Sequence, residues 1–305
     1  MEFNFSAIAQ LLLALLMAPL AIGVINRTKA FMGGRHGRPF LQLYWDIFKL
    51  LRKGTVYSQT TTWVIRLLPW GGLAAILSAM LILPLGPRGG VILFPGDFFA
   101  AIYLLAMLRV LMVLGALDTG SPFEGMGASR EVFYSALLEP ALVLALTTLA
   151  YVARSWSIST IYLNWGDNHW AVFNPILLMV LATLFLALLV ESCRVPIDDP
   201  ETHLELTMIH EVMILDCGGP DLGVILYTAA LKFWLFASLI VGLILPRQDS
   251  FLIDLALHAG GVLLIGVVVG LVESTIARLR LVRIPQLLMG AIILSAIALT
   301  LAQRS

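Results

Sequence analysis

The sequence predicts an all-α, polytopic integral membrane protein: eight transmembrane helices plus an interfacial amphipathic helix. Three observations predict it. Apolar residues fill 60% of the 305 positions and charged residues only 12%, against about 45–50% and 25% in soluble domains. Mean hydropathy is +0.94. The apolar residues also fall in long runs, each near the roughly 20 residues that a helix needs to cross hydrocarbon, rather than in the alternating pattern of a membrane barrel. The same numbers exclude a disordered chain. With Lys+Arg and Asp+Glu both at 19, a basic nucleic-acid-binding surface is excluded too, so no nucleic acid is expected as a partner.

The eight runs are roughly Ile8–Ile25, Trp63–Leu85, Phe98–Leu117, Val132–Ala153, Val172–Val190, Leu222–Leu245, Leu252–Val272 and Ile284–Ala302. The first has no basic flank, Glu2 being its only preceding charge, and its apolar core is too long for a cleaved signal peptide. The fourth is interrupted by Glu139-Pro140. Together they read as a single membrane domain, 1–305, with cytoplasmic loops at about 26–62, 118–131, 191–221 and 273–283. Basic residues set that orientation. Arg27, Lys29, Arg35, Arg38, Lys49, Arg52 and Lys53 lie between runs one and two, and Arg278, Arg280 and Arg283 between runs seven and eight; the other side carries only Arg88, Arg154, Arg247 and Arg304. By the positive-inside rule the basic loops face the cytoplasm and both termini lie outside, in a cell inner membrane.

Within the first loop, Leu41, Tyr44, Trp45, Phe48 and Leu51 share one helical face while Asp46, Lys49, Arg52 and Lys53 lie elsewhere. This is the pattern of a helix lying in the interface plane. It serves either as a surface anchor or as a docking surface or wall of a lipid-facing entrance.

The loop after run five is acidic: Glu191, Asp198, Asp199, Glu201, Glu205, Glu211, Asp216 and Asp221 face one Arg194. Asp199 is a good N-cap and Pro200 a good first helical residue, so a helix is expected from Pro200 to about Leu215, stopping at Gly218-Gly219-Pro220. On it Glu201 and Glu205 share a face, and their repulsion raises carboxylate pKa toward the range of useful proton exchange. His203 and His210 share the opposite face, about 10 Å apart by helical rise, too far to grip one metal ion. Cys193 and Cys217 have no metal or redox spacing, and the chain carries no phosphate loop, dinucleotide fingerprint, nucleophile elbow or zinc motif. No catalytic residue and no cofactor of its own is expected.

Ionisable residues inside the runs are costly and are functional hypotheses by default. They are Arg109, Glu139, Lys232, Asp254 and His258, with Glu191 and Glu273 near cytoplasmic ends. Acids and bases on different helices fit either structural salt bridges or a polar track.

Arg194-Val-Pro-Ile-Asp198, Pro200-Glu201 and Glu205-Leu206 resemble the acidic loop of the subunit 1 family of respiratory complex I. The segment from Leu117 to Glu131 and the segment Glu273-Ser-Thr-Ile-Ala-Arg-Leu-Arg280 resemble more narrowly the membrane subunits of formate hydrogenlyase and hydrogenase 4, the group 4 nickel–iron hydrogenases. The order of elements agrees over essentially the whole chain. The resemblance implies a subunit that anchors a peripheral redox arm and couples its electron transfer to proton or sodium movement. It implies Glu139 as the membrane glutamate of the family, Arg130 as the arginine of the loop before it, and Arg194, Asp198, Glu201 and Glu205 as the acidic-loop residues; beside these, Glu191 and Glu211 are expected as further coupling carboxylates and Arg109 and Lys232 as charge partners, as ionisable residues in or next to the runs. It also implies hydrogenase-like large and small subunits carrying a nickel–iron centre and iron–sulfur clusters, antiporter-like membrane subunits, and the lipid bilayer as partners. Gly34-Arg-His-Gly-Arg-Pro39 departs from the complex I first-loop motif, His203 replaces a family glutamate, and Asp216-Cys217-Gly218 replaces Glu-Tyr-Ser. These departures weigh against a quinone site and toward the hydrogenase-like branch. A quinone-site subunit of an NADH-quinone oxidoreductase and a free-standing secondary ion transporter remain the alternatives; against the latter, no internal repeat is visible.

Overall fold

Helices account for most of the backbone. The computed structural model describes residues 5–86, 89–165, 174–198, 208–248 and 250–304, and among them are ten α-helices and no strand. These are α1 (Phe5–Met32), α2 (Gln42–Leu51), α3 (Val64–Ile82), α4 (Asp97–Asp118), α5 (Pro122–Ala153), α6 (Ile158–Trp165), α7 (Pro175–Glu191), α8 (Gly219–Ile244), α9 (Phe251–Thr275) and α10 (Ile284–Ala302). Seven of them (α1, α3, α4, α5, α8, α9 and α10) are long and apolar enough to cross a membrane; α7, at 17 residues, is shorter. At 1.5 Å per residue α7 measures about 25 Å, somewhat less than the ~30 Å hydrocarbon core, whereas α1 at about 42 Å exceeds it and carries Arg27 and Lys29 in its last turns.

The bundle is organised around α8, in which every residue from Ala230 to Leu243 is buried. It touches α1, α2, α3, α7 and α9, while α3 pairs with α4, α5 with α10 and α1 with α9. A helix packed on all sides is apolar all round. Lys232 is therefore the conspicuous residue of α8.

Proline inside a helix leaves one carbonyl without its donor. In α1, Pro19 orphans the Leu15 carbonyl, and Tyr227 of α8 donates its hydroxyl there at 2.9 Å. Tyr44 of α2 donates to the next carbonyl, Leu16. The proline is thus where α1, α2 and α8 are tied. Beside it an apolar groove of about 860 Å³ runs between Leu15, Leu16 and Leu20 on α1 and Leu41, Trp45 and Phe48 at α2. No residue of α2 is buried.

The structure departs from the sequence expectations in several places. Glu139-Pro140 does not interrupt the fourth run; α5 continues through it for 32 residues and begins at Pro122, so most of the stretch 118–131 is helix rather than loop. One missing hydrogen bond is a small loss in a helix packed along its length against α4, α7 and α10. The short helix α6 was not expected. It forms because Asp97, at the start of α4, accepts from the Ile158 amide (2.7 Å) and the Ser157 hydroxyl (2.6 Å). Residues 166–173, at the start of the expected fifth run, lie outside the described residues, as do 199–207.

The expected helix from Pro200 to Leu215 is not continuous: its described end holds only a 3-10 turn, Glu211–Ile214. Gly218-Gly219-Pro220 does not stop it but opens α8, with Gly218 as N-cap. The reason is local capture of the backbone. Asp198 takes the amides of Ile209 and His210, each at 3.1 Å, and Arg130 donates to the Met208 carbonyl at 2.8 Å. Groups held this way are withdrawn from a helical ladder.

Gly127 of α5 allows the turn to seat. A Cβ there would lie 2.3 Å from Val212 Cγ1 and 2.9 Å from the Ile209 carbonyl oxygen, whereas at Gly125 nothing lies within 4 Å. Gly127→Ala should therefore lower stability by about 1–3 kcal/mol through overpacking. Gly125→Ala should be neutral or slightly stabilising, through helix propensity alone. Thermal unfolding of the two variants in detergent distinguishes them; equal midpoints would mean that the α5–turn contact carries no weight.

Candidate ion-coupling site

Four helices each contribute one ionisable side chain to a cluster that runs from the interior of the bundle to its outer surface. Arg109 comes from α4, Glu139 from α5, Glu191 from the last position of α7 and Lys232 from α8. Arg109 Nη2 lies 2.8 Å from Glu139 Oε1, and its Nε 3.7 Å from Glu191 Oε1; Lys232 Nζ lies 3.3 Å from Glu191 Oε2. Arg109, Glu191 and Lys232 are buried, at 6%, 4% and 5% exposure. The Glu139 side chain is 41% exposed on the outside of the bundle. Two cations and two anions balance in charge but not in alignment. Arg109 Nε and Nη1 and Glu191 Oε2 have no aligned hydrogen bond, so the Lys232–Glu191 contact is an ion pair whose angle falls short of one. A loosely aligned pair in low dielectric keeps strong electrostatics without the geometry that would lock it.

A second layer lies toward the acidic loop. Arg194 Nη1 and Lys29 Nζ flank the buried Glu273 at 3.4 and 3.1 Å. Asp198 pairs with Arg278 at 2.9 Å through one oxygen while the other holds the two amides described above. Asp198 is thus committed as an organiser of the loop, and Arg130, bonded to Met208, is the clamp across it. Glu211, in the 3-10 turn, lines a cavity of about 300 Å³ together with Arg38, Asp46, Arg194, Asp198 and His210.

The two layers are linked by a residue that stood out in neither the apolar runs nor the acidic loop. Glu131 lines a small cavity shared with Glu191, Asp198 and Cys193. It lies eight residues before Glu139 on α5, about two turns away and within a quarter-turn of its direction, and this spacing was the signal available. Asp198, Glu131, Glu191, Arg109 and Glu139 then form a succession from the loop to the outer surface of the bundle. Of the expected site residues, Arg109, Glu139, Glu191 and Lys232 come together; Arg130, Arg194, Asp198 and Glu211 belong to the loop layer. Glu201 and Glu205 lie outside the described residues. Lys29 and Glu273, near helix ends, and Arg278, in the segment after α9, join the loop layer as partners, which their positions in the chain did not disclose.

In the loop beyond α7, burial drives the His210 imidazole down to about 3; Lys232 adds to this and Glu191 opposes it. His210 is therefore neutral at physiological pH. Burial also pushes the Cys193 thiol well up and the Cys217 thiol to about 12, so both stay protonated. Neither cysteine is in a disulfide, and no cluster of His, Cys, Asp or Glu suited to a metal ion occurs among the described residues.

The fold and the site define a multi-pass membrane protein with a succession of paired charges through a helical bundle. The chain belongs to the NADH dehydrogenase family, whose model matches residues 6–303. It is 34% identical to hydrogenase-4 component C of Escherichia coli K12 over 285 residues, covering 90% of this chain and 88% of that protein. It is 33% identical to formate hydrogenlyase subunit 4 of the same organism over 290 residues, covering 89% and 90%. The fold matches a chain in the structure of the membrane-bound sulfane sulfur reductase, an archaeal respiratory membrane complex. That match has a TM-score of 0.83 and 20% identity, and it covers 97% of this chain and 98% of that one.

Removing one partner from a buried pair leaves an uncompensated charge and typically costs about 3–5 kcal/mol. Lys232→Met should lose stability on that scale, and adding Glu191→Gln to it should recover much of the loss. A double-mutant cycle read by denaturation in detergent checks this; simple additivity would mean that the two groups do not interact.

Proposed function

We propose that this chain is the membrane-anchoring and ion-coupling component of a multisubunit redox complex of the hydrogenase-like or complex I-like kind. The observation that carries the reading is the Arg109–Glu139–Glu191–Lys232 cluster, set in an apolar bundle and opening at Glu139 onto its outer surface. Charges this deep in a membrane protein are expensive and mark ion pathways. The two hydrogenase relatives favour this reading over a free-standing transporter.

In this reading eight helices span a cell inner membrane, α7 being the short one, with both termini outside. The chain is one membrane domain, and α2 lies in the interface with its exposed Trp45 and Phe48 in lipid. The first loop and the acidic loop face the cytoplasm and receive the large and small subunits of a peripheral arm, which carry the nickel–iron centre and iron–sulfur clusters. The chain itself contributes no redox cofactor, since electron-transfer chemistry belongs to such groups. A carboxylate as exposed as Glu139 is unsuited to bare acyl chains, which argues for an antiporter-like membrane subunit against that face. Electron transfer in the arm changes the potential at Glu201, Glu205 and Glu211, and the carboxylate succession through Glu131 and Glu191 to Glu139, held in register by Asp198, carries the consequence as movement of protons or sodium ions.

Two outcomes test this on the assembled complex in membrane vesicles. Glu139→Gln keeps size and much of the hydrogen bonding; it should leave assembly intact and lower ion translocation per electron by about tenfold or more, the scale of a lost acid–base group. Translocation at the wild-type ratio would make Glu139 structural. The double variant Glu201→Gln/Glu205→Gln should also assemble, with altered turnover and poor translocation. Loss of the peripheral arm with normal coupling in the fraction that assembles would reduce those two acids to a docking contact.

A further inference from the structure

Two cavities meet at a thin wall beside Glu191. The inner one, about 40 Å³, is lined by Glu191, Lys232, Thr228 and the apolar flanks of α3 and α4. At about 10–15 Å³ per water it has room for about three or four. Two of its buried polar atoms, Glu191 Oε2 and Thr228 Oγ1, have no hydrogen-bond partner in the protein. The outer one, about 300 Å³, lies under the first loop and the acidic loop. Five residues line both: Ser192, Cys193, His210, Ile225 and Ala229.

Among these five the proton chemistry is quickly narrowed. Ile225 and Ala229 have none. The Ser192 hydroxyl is committed to the Leu188 carbonyl. The Cys193 thiol is held protonated by burial. His210 is left, and its backbone amide is anchored by Asp198 at 3.1 Å while its carbonyl accepts from the Met213 amide at 3.1 Å, so the backbone that carries the ring is fixed at the wall.

Resting on the coupling function proposed above, we propose that His210 is the proton relay between the loop-side cavity and the Glu191 carboxylate. The step balances without a stored charge. One ring nitrogen takes a proton from a hydronium ion that has entered the outer cavity, leaving water there, as the other gives its proton to the Glu191 carboxylate or to a water beside it. The imidazole ends neutral, and exchange of tautomers resets it. The groups around it fit a relay rather than a store: Lys232 from α8 and Arg194 from the loop disfavour an imidazolium, while Glu191 from α7, Asp198 and Glu211 from the loop and Asp46 from α2 are acceptors on either side. The depressed pKa, about 3, has the same sense. This assigns protons, not sodium ions, as the species entering by this route.

The test uses the assembled complex in membrane vesicles. His210→Ala should slow proton translocation and the turnover coupled to it by about tenfold or more. Added imidazole, which the outer cavity has the volume to admit, should restore both. His210→Gln keeps a polar side chain of similar reach but cannot relay in this way; it should be slowed with a raised solvent deuterium isotope effect, and it carries the test if the alanine variant does not assemble. Wild-type rates in either variant, a slowed His210→Ala that imidazole does not restore, or a slowed His210→Gln with an unchanged isotope effect each overturn the relay. Glu191→Gln separates this from failure of the wider reading. Uncoupling by Glu191→Gln with normal His210 variants removes the relay alone, whereas normal translocation in Glu191→Gln removes the coupling role itself.

Discussion

Charge cannot stay unpaired in the interior of a membrane bundle, and that constraint fixes how the helices of this protein meet. Lys232 stands on the most deeply buried helix, α8. Glu191 at the end of α7 lies against it, Arg109 of α4 reaches Glu191 from the other side, and Glu139 of α5 completes the set. Four helices are thereby brought together by contacts that hydrophobic packing alone would not specify, because apolar side chains gain little by choosing one helix neighbour over lipid. The loop layer repeats the device: Glu273 is held between Arg194 and Lys29, and Asp198 by Arg278.

The same pairings leave the cluster loosely aligned rather than locked. A fully aligned bidentate pair would be a lock. Here Arg109 keeps Nε and Nη1 without hydrogen-bond partners and Glu191 keeps Oε2 without an aligned donor, with small cavities on two sides of Glu191. The rigid parts lie elsewhere: in Asp198, saturated by Arg278 and two amides, and in the Tyr227–Leu15 and Tyr44–Leu16 bonds beside Pro19. Fixed loop and tied helices thus frame a loosely aligned centre.

The members of the cluster are legible in the sequence; their pairing is not. Arg109, Glu139, Glu191 and Lys232 stand out because each interrupts or ends an apolar run, where a charge needs a reason. Glu131 did not stand out, since it lies where an expected loop met an expected helix, and only the early start of α5 at Pro122 put it on the same helix as Glu139, about two turns before it. The stretch from Met208 to Leu215 read as helix because its residues allow one. Asp198, eleven residues before Ile209, and Arg130, seventy-eight before Met208, take its backbone groups instead.

The sequence by itself determined the class: eight apolar runs, a basic first loop, an amphipathic segment at Leu41–Leu51 and an acidic loop after the fifth run. These follow from local composition and period, which depend only on residues close in the chain. Which charges pair, which carboxylate reaches the outer surface, and that His210 stands between two cavities were decided by the tertiary structure. Those facts turn on side chains from several helices meeting within a few ångströms, and no local pattern encodes such distances.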